Sequence, residues 1–302
     1  MPASLAVSSE DLAAYSNVCA PRVRTPGDKD LQRSTGRARM VLAGSAHGTR
    51  IVDIFQRSPT RIMFPRLRGA PVEEAVAVNT GGGIAGGDRL EFSVTVLADA
   101  SVTVTTQAAE RVYRALSEPA LIDTQLKVYG AAKLAWLPQE TIVFDGGRMR
   151  RNTDVEVHAG AELLALEWLV LGRAAHGEEI VRGHIADGWQ VKMDGRLIWA
   201  DRFRVTDDVF PRTRNRALLA DFKAIGTLIY FGPDAEARVQ LMRELASELQ
   251  CHCVTTVVSG LVIARLAARA AAELKTSLRQ ILLKFDPTPA QGPFRLPKMW
   301  SC

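Results

Sequence analysis

The sequence predicts a mostly β protein, with stacked β-helix-like strands forming one large domain and two α-helices near the C-terminus. Three observations carry this. Apolar and polar residues alternate with a period of two through much of Leu90–Leu171. A weak self-similarity of roughly thirty residues runs through the same stretch, the signature of stacked β units. Two late segments then change to the spacing of an amphipathic helix.

Residues 1–35 are rich in Ala, Ser, Pro and charge, show no period, and read as a loose leader to the β-rich domain at 36–302. Met40 and Leu42, Thr49 to Ile54, and Ile62 to Phe64 read as strands. Leu90, Phe92, Val94 and Val96 alternate with Glu91, Ser93 and Thr95, which gives a strand with one buried face. Ala100, Ala131 and Ala161 each open a strand after a small-residue turn: Ala98-Asp99, Tyr129-Gly130 and Ala159-Gly160. One such unit cannot bury its apolar face, whereas stacked neighbours bury a continuous core. A plain β-sandwich also fits this pattern. Strand signals continue through Ile180–Ile185 and Gln190–Trp199, split by Met193-Asp194-Gly195. A helix is expected from Asp234, as its cap, to Gln250, with Val239, Leu241, Met242 and Leu245 on one side. A second is expected over about 267–285, striped by Leu274, Leu278, Ile281 and Leu282 and stopped by Pro287 and Pro289.

Bulk properties narrow the function. The 302 residues can bury a large core, and 47% hydrophobic with 24% charged residues is ordinary for a globular chain. The net charge of +5 lies partly in Arg33–Arg39 and Arg148-Met-Arg-Arg151. These runs read as solvated basic faces or a surface for an acidic partner, and no nucleic-acid motif accompanies them. The apolar stretch Val254–Ala272 is interrupted by Arg265 and Arg269, so no membrane span is expected. With no secretory signal ahead of Cys19, Cys251, Cys253 and Cys302, a cytoplasmic location with free thiols is expected.

Residues 79–88 contain Gly81, Gly83 and Gly86 in the literal spacing of a dinucleotide-binding loop. The context is wrong, because Leu90–Val96 is a strand pattern and that motif must open a helix to hold a pyrophosphate. No Lys-Ser/Thr follows, so a P-loop is excluded as well. A tight glycine turn between strands remains. The five histidines are scattered and no nucleophile elbow occurs, which argues against catalysis. Cys251-His252-Cys253 is a local metal-like triplet, but on a strand His252 points away from both thiols, so buried small hydrophobes are the simpler reading.

Five segments in order resemble the UreD (UreH) family of urease accessory proteins. They are the loop Gly81-Gly82-Gly83 with Gly86-Gly87-Asp88; Thr105-Thr106-Gln107 with Tyr113-Arg114; Leu137-Pro138-Gln139-Glu140; Gly172-Arg173 with Gly177-Glu178; and the tail Leu296-Pro297-Lys298-Met299-Trp300, preceded by Asp201-Arg202. Lys298 stands where the family usually has Arg. The resemblance spans about Ala38 to Trp300.

That resemblance implies a non-enzymatic scaffold that helps insert nickel into apo-urease. It implies a bridge between urease and a UreF-type helical protein, which recruits a UreG-type GTPase. It also implies passage of nickel through a water-filled tunnel, with no tightly bound cofactor, no nucleic acid and no membrane. Carboxylates that bind weakly would suit such a path. Glu178 is the first candidate, then Asp88 and Glu140, with His176 and Asp201 alongside. An internal Arg173–Glu178 ion pair is the plainer role for Glu178. Thr106, Gln107 and Tyr113 are expected to shape the fold or a docking surface, and the two C-terminal helices to dock the helical partner through an apolar stripe. The alternative from another class is a β-rich hydrolase or carbohydrate-active enzyme with paired carboxylates.

Overall fold

The computed structural model describes residues 33–65, 73–213, 215–285 and 296–300. The expected leader therefore lies almost wholly outside the described residues, and Thr35 already opens the first strand. The strands are β1 (Thr35–Ser45), β2 (Gly48–Arg57), β3 (Thr60–Met63), β4 (Glu74–Asn79), β5 (Arg89–Val96), β6 (Ser101–Thr106), β7 (Glu110–Val112), β8 (Ala120–Val128) and β9 (Lys133–Leu137). They continue with β10 (Thr141–Val143), β11 (Arg148–Val157), β12 (Glu162–Leu171), β13 (His184–Met193), β14 (Arg196–Val205), β15 (Ala224–Phe231), β16 (His252–Val258) and β17 (Leu261–Ala268). The helices are α1 (Ala235–Leu245) and α2 (Ala271–Lys284).

The thirty-residue repeat is one coil of a β-solenoid. The chain alternates between two sheets as it climbs. One has the order β14-β13-β11-β8-β5-β1-β2; the other runs β16-β17-β15-β12-β9-β6-β4-β3. Successive coils pair in parallel: Leu90 lies beside Ile122, and Ile122 is bracketed by Leu90 and the next coil's Arg151. In the second sheet Val102 lies beside Leu134 and Leu134 beside Leu163. A sandwich of antiparallel strands is thereby excluded. β7, β10 and the end of β12 form a short third row of parallel pairs.

The predicted corners explain the regularity. Asp99, Gly130 and Gly160 all take left-handed backbone, at φ 63, 56 and 82, one per coil. Each turn then bonds to the coil below, as in Tyr129 N–H to the Val96 carbonyl and His158 N–H to the Val128 carbonyl. Ala100, Ala132 and Ala161 are buried just inside these corners, where a larger side chain would hold the sheets apart. The solenoid ends are antiparallel. β13 and β14 form a hairpin through Asp194 and Gly195, both with positive φ, as a two-residue turn requires.

The second sheet carries the helices on its outer face. Val239 and Met242 of α1 and Leu274, Leu278, Ile281 and Leu282 of α2 are buried with Leu166, Trp168 and Tyr230, and Leu245 of α1 is buried as well. Their apolar stripes are thus used within the chain, which corrects the expectation that these stripes dock a helical partner. Both helices are shorter than expected: the chain turns at 246–248 after α1, and Ala267-Ala268 end the β16–β17 hairpin, which turns at Ser259-Gly260, so α2 starts only at Ala271. Strand signals at Ile180–Gly183 are likewise loop, and β13 begins only at His184. Asp234 sits at the first cap position of α1, yet its carboxylate makes no cap. It accepts from Arg238 Nε at 2.8 Å and from the Tyr230 hydroxyl.

Trp300 closes this face. It is fully buried, stacks on Trp168 at 6.3 Å, and donates its indole N–H to the Leu137 carbonyl at 3.0 Å. Trp300→Ala removes a large buried ring and its bond to the Leu137 carbonyl, which then keeps the Thr105 hydroxyl as a donor. It is expected to cost about 3–5 kcal/mol of unfolding free energy, read by denaturant titration.

Candidate functional site

The resembling motifs meet at one corner of successive coils. The glycine loop joins β4 to β5 and is a packing device. A Cβ on Gly86 would lie 2.4 Å from the Glu118 carbonyl oxygen, and one on Gly83 would lie 2.3 Å from the Tyr113 ring. Tyr113 donates its hydroxyl to the Gly82 carbonyl at 3.0 Å and meets Phe144 edge-on at 5.3 Å. Phe144 in turn lies 4.2 Å beneath the Arg173 guanidinium, which grips Glu178 with two bonds of 3.0 and 2.8 Å. Arg114 pairs with Asp145 at 3.1 Å. One coil inward, Thr106 Oγ1 accepts from the Gln139 backbone N–H at 2.8 Å, and Thr105 donates to the Leu137 carbonyl at 2.7 Å. Pro138 accepts the Trp168 indole N–H at 3.2 Å. Gln107 is exposed. These blocks form a continuous ridge from the glycine loop to Glu178.

The structure spreads the expected nickel-path residues apart. Asp88 is buried, and its two oxygens accept from Ser34 N–H and Ala85 N–H at 2.8 Å, tying the loop to the start of β1. Glu178 lies on the surface ridge, where the Arg173 guanidinium holds its carboxyl below the usual range. His176 is exposed in a short turn closed by left-handed Gly177, at φ 68, and opened after Gly172, at φ 77. Glu140 is half-buried beside the β7–β10 row. Only Asp201 borders either of the two cavities described next. Among the described residues no three His, Cys, Asp or Glu side chains converge to hold a metal ion. Cys251 is buried, burial pushes its thiol and that of Cys253 up, and His252 instead meets Phe222 at 4.9 Å.

A polar row lies inside the solenoid, which sequence reading did not assemble. Along β11, Met149, Arg151, Thr153, Val155 and Val157 all face inward. Arg151 is 2% exposed. Its Nε and Nη2 donate to Asp187 at 2.8 and 2.7 Å, and its Nη1 reaches Glu167 at 2.6 Å and Thr141 at 3.1 Å. Trp136 donates to Glu167 at 2.9 Å. The basic run at Arg148 is therefore not one solvated face, since Arg151 turns in while Arg150 stays out. Burial and the neighbouring Asp187 push the Glu167 carboxyl up against the pull of Arg151. The firm grip of the two carboxylates keeps Arg151 charged. The sequence signal available was parity: a charged residue at an inward position of a strand.

Register carries this row to the surface. In the second sheet Glu167, Thr227 and Arg265 are aligned across β12, β15 and β17. In the first sheet Arg151, Asp187 and Phe203 form one aligned row, and Thr153, Trp189 and Asp201 the next. Between the facing rows is a cavity of about 180 Å³, bordered by Glu167, Asp187, Trp189, Asp201, Thr227 and Arg265. A second cavity of about 40 Å³ lies on the other side of Glu167 and Arg151, bordered by Thr106, Glu110, Gln139 and Thr141. The Trp189 indole N–H and the Gln139 amide are buried at these cavities without a protein acceptor. Buried donors of this kind take water, and both spaces can hold it. Burial pushes the Glu110 carboxyl up, and Asn79 donates to it at 3.0 Å near the glycine loop. The arrangement can hydrate and attract a cation without trapping it.

Comparison with known proteins agrees with the motifs. The family model described as UreD urease accessory protein matches residues 34–301. The chain is 36% identical over 282 residues to the urease accessory protein UreD of Xanthobacter autotrophicus, covering 93% of this chain and 95% of that one. It is 39% identical over 271 residues to its namesake in Mesorhizobium japonicum, covering 89% and 95%. For Dinoroseobacter shibae the identity is 41% over 254 residues, covering 83% and 88%.

Removing the central cation gives a direct test of the buried row. Arg151→Met leaves Glu167 and Asp187 buried without their counter-charge and is expected to cost about 3–5 kcal/mol near neutral pH. The Glu167 carboxyl, already pushed up by burial, loses the opposing pull of Arg151 and rises further, so the stability it contributes is present at low pH and lost as pH increases. The deficit should shrink as pH falls into the carboxylate range, as measured by denaturant titration at several pH values.

Proposed function

The chain belongs to the UreD urease accessory protein family, and from that we propose that this urease-maturation protein passes nickel through the polar row inside its solenoid. It is an accessory protein rather than an enzyme, so its chemistry is transport and positioning of cargo. The reading rests on one observation above the others: the buried Glu167 carboxylate borders both water-accepting cavities, one of them lined also by Glu110 near the glycine loop and the other by Asp187 and Asp201.

The physical logic is that of a weak relay. Nickel is strongly hydrated, and a site with three or four protein ligands would hold it. Glu167, Asp187 and Asp201 instead offer negative charge spaced along a wet cavity, with Arg151 offsetting part of it. A hydrated ion is attracted yet released. Asp201 retains its place among the path residues in this reading. Glu178, Asp88, Glu140 and His176 serve the corner ridge, which we assign to contact with apo-urease or with the UreF-type protein that brings the UreG-type GTPase. The setting is the reducing cytoplasm, with no membrane or nucleic-acid partner. No helix among the described residues is long and apolar enough to cross a membrane.

Two measurements test this. Deleting the gene should leave urease assembled but low in nickel, and unchanged activity with full nickel content would remove the accessory role. Leu219→Trp enlarges a side chain bordering the larger cavity. It should reduce nickel transfer to apo-urease while the complex still assembles, and Glu178→Ala should affect assembly more than transfer. Equal nickel transfer by Leu219→Trp and the parent protein would sink the internal route.

A further inference from the structure

We propose that Arg265 is a latch on the mouth of the larger cavity. Closed, its guanidinium bridges the two sheets; open, it swings into solvent and leaves Asp201 as the first carboxylate an entering cation meets. The inference rests on the internal route proposed above and concerns how that route is controlled.

The geometry places Arg265 at the opening. Among the described residues it is the only exposed one bordering this cavity. Its Nη2 lies 2.6 Å from Asp201 of β14, and its Nη1 donates to Thr227 of β15 at 2.7 Å. The guanidinium also sits 5.7 Å from the Trp199 ring centre. Asp201 belongs to the first sheet and Thr227 to the second, so one side chain ties both rims together. The polar side chains behind it are Glu167 and Asp187 with the neutral Trp189 and Thr227, and Arg151 lies further in. The resting mouth therefore presents a positive charge to anything that approaches an acidic interior.

The two arginines of the row differ in what holds them. Arg151 is buried and every nitrogen of its guanidinium is bonded to a buried partner, so releasing it would strand two carboxylates. Arg265 has a side chain 44% exposed and a partner 26% exposed. A pair so open to water is weak and exchanges readily. Its long stem lets the head group move to bulk water without disturbing β17. Arg151 is thus a fixed element of the wall and Arg265 a movable one.

The test uses the full chain in a reconstituted transfer of nickel to apo-urease at limiting nickel, with initial nickel incorporation as the readout. Arg265→Gln removes the positive charge and the ion pair. It should speed incorporation about fivefold, the effect of removing one unit charge at close range in a solvated setting. It should also let an added chelator capture nickel in transit. Thr227→Val removes one anchor while keeping the charge and should give a smaller acceleration. Asp201→Asn frees the latch but removes the first carboxylate, so it should not accelerate transfer. Combining Leu219→Trp with Arg265→Gln should return transfer to the slow rate of the plugged protein.

Transfer by Arg265→Gln and Thr227→Val at or below the parent rate, with the fold and complex intact, overturns the latch. If Leu219→Trp still slows transfer in that case, the route survives without its latch. If Leu219→Trp also has no effect, the route itself fails.

Discussion

The three-way contact of Arg151 with Glu167 and Asp187 governs the interior of this molecule. It joins β11 and β13 of one sheet to β12 of the other across the space between them. Two carboxylates and a guanidinium are costly to take out of water, and well-packed apolar residues would serve stability as well or better. What the ions provide is a stratum that cannot collapse into a dry core. On one side lies the apolar layer of Leu126, Val155, Leu163 and Val191; on the other lie Val143, Met149, Leu169 and Ile185. The polar row is confined between them. The cavities beside this row keep walls of defined shape because these apolar layers hold both sheets at fixed separation.

The solenoid turns a short sequence rule into a long feature. Each coil adds one inward position at the same height, and parallel register stacks these positions into rows. A row can therefore change character along the stack, from Ile122 to Arg151 to Asp187, while the backbone repeats. The corner residues follow the same logic. The glycine loop, Tyr113, Phe144 and Arg173 come from different coils, yet each touches the next. One architecture thus produces an external ridge and an internal row from residues far apart in sequence.

Much of the fold was legible before the structure. The small-residue corners, the two-residue alternation and the Asp194-Gly195 hairpin are local signals, and local signals survive burial. The β16–β17 hairpin was not, because Val254–Ala272 is apolar on most positions and such runs carry no period. Asp234 misled because a carboxylate beside a Tyr hydroxyl and an Arg finds better partners than the helix N–H groups. The site was harder. Glu178, Asp88 and His176 are conspicuous in sequence because they sit in motifs, and motifs here mark the ridge. Arg151 and Glu167 sit in unremarkable strands, and their meaning appears only when register sets them face to face. Asp201, singled out beforehand, does border the cavity, although nothing in its neighbours announced Arg265 as its partner.

The most direct measurement is a crystal structure of the protein equilibrated with nickel, with anomalous scattering recorded at the nickel edge. The account predicts ordered water between Glu167 and Asp201, with the Trp189 indole N–H bonded to it, and partial nickel density within that space. A dry cavity, with Trp189 turned to a protein acceptor and nickel found only on the outer surface, would contradict it.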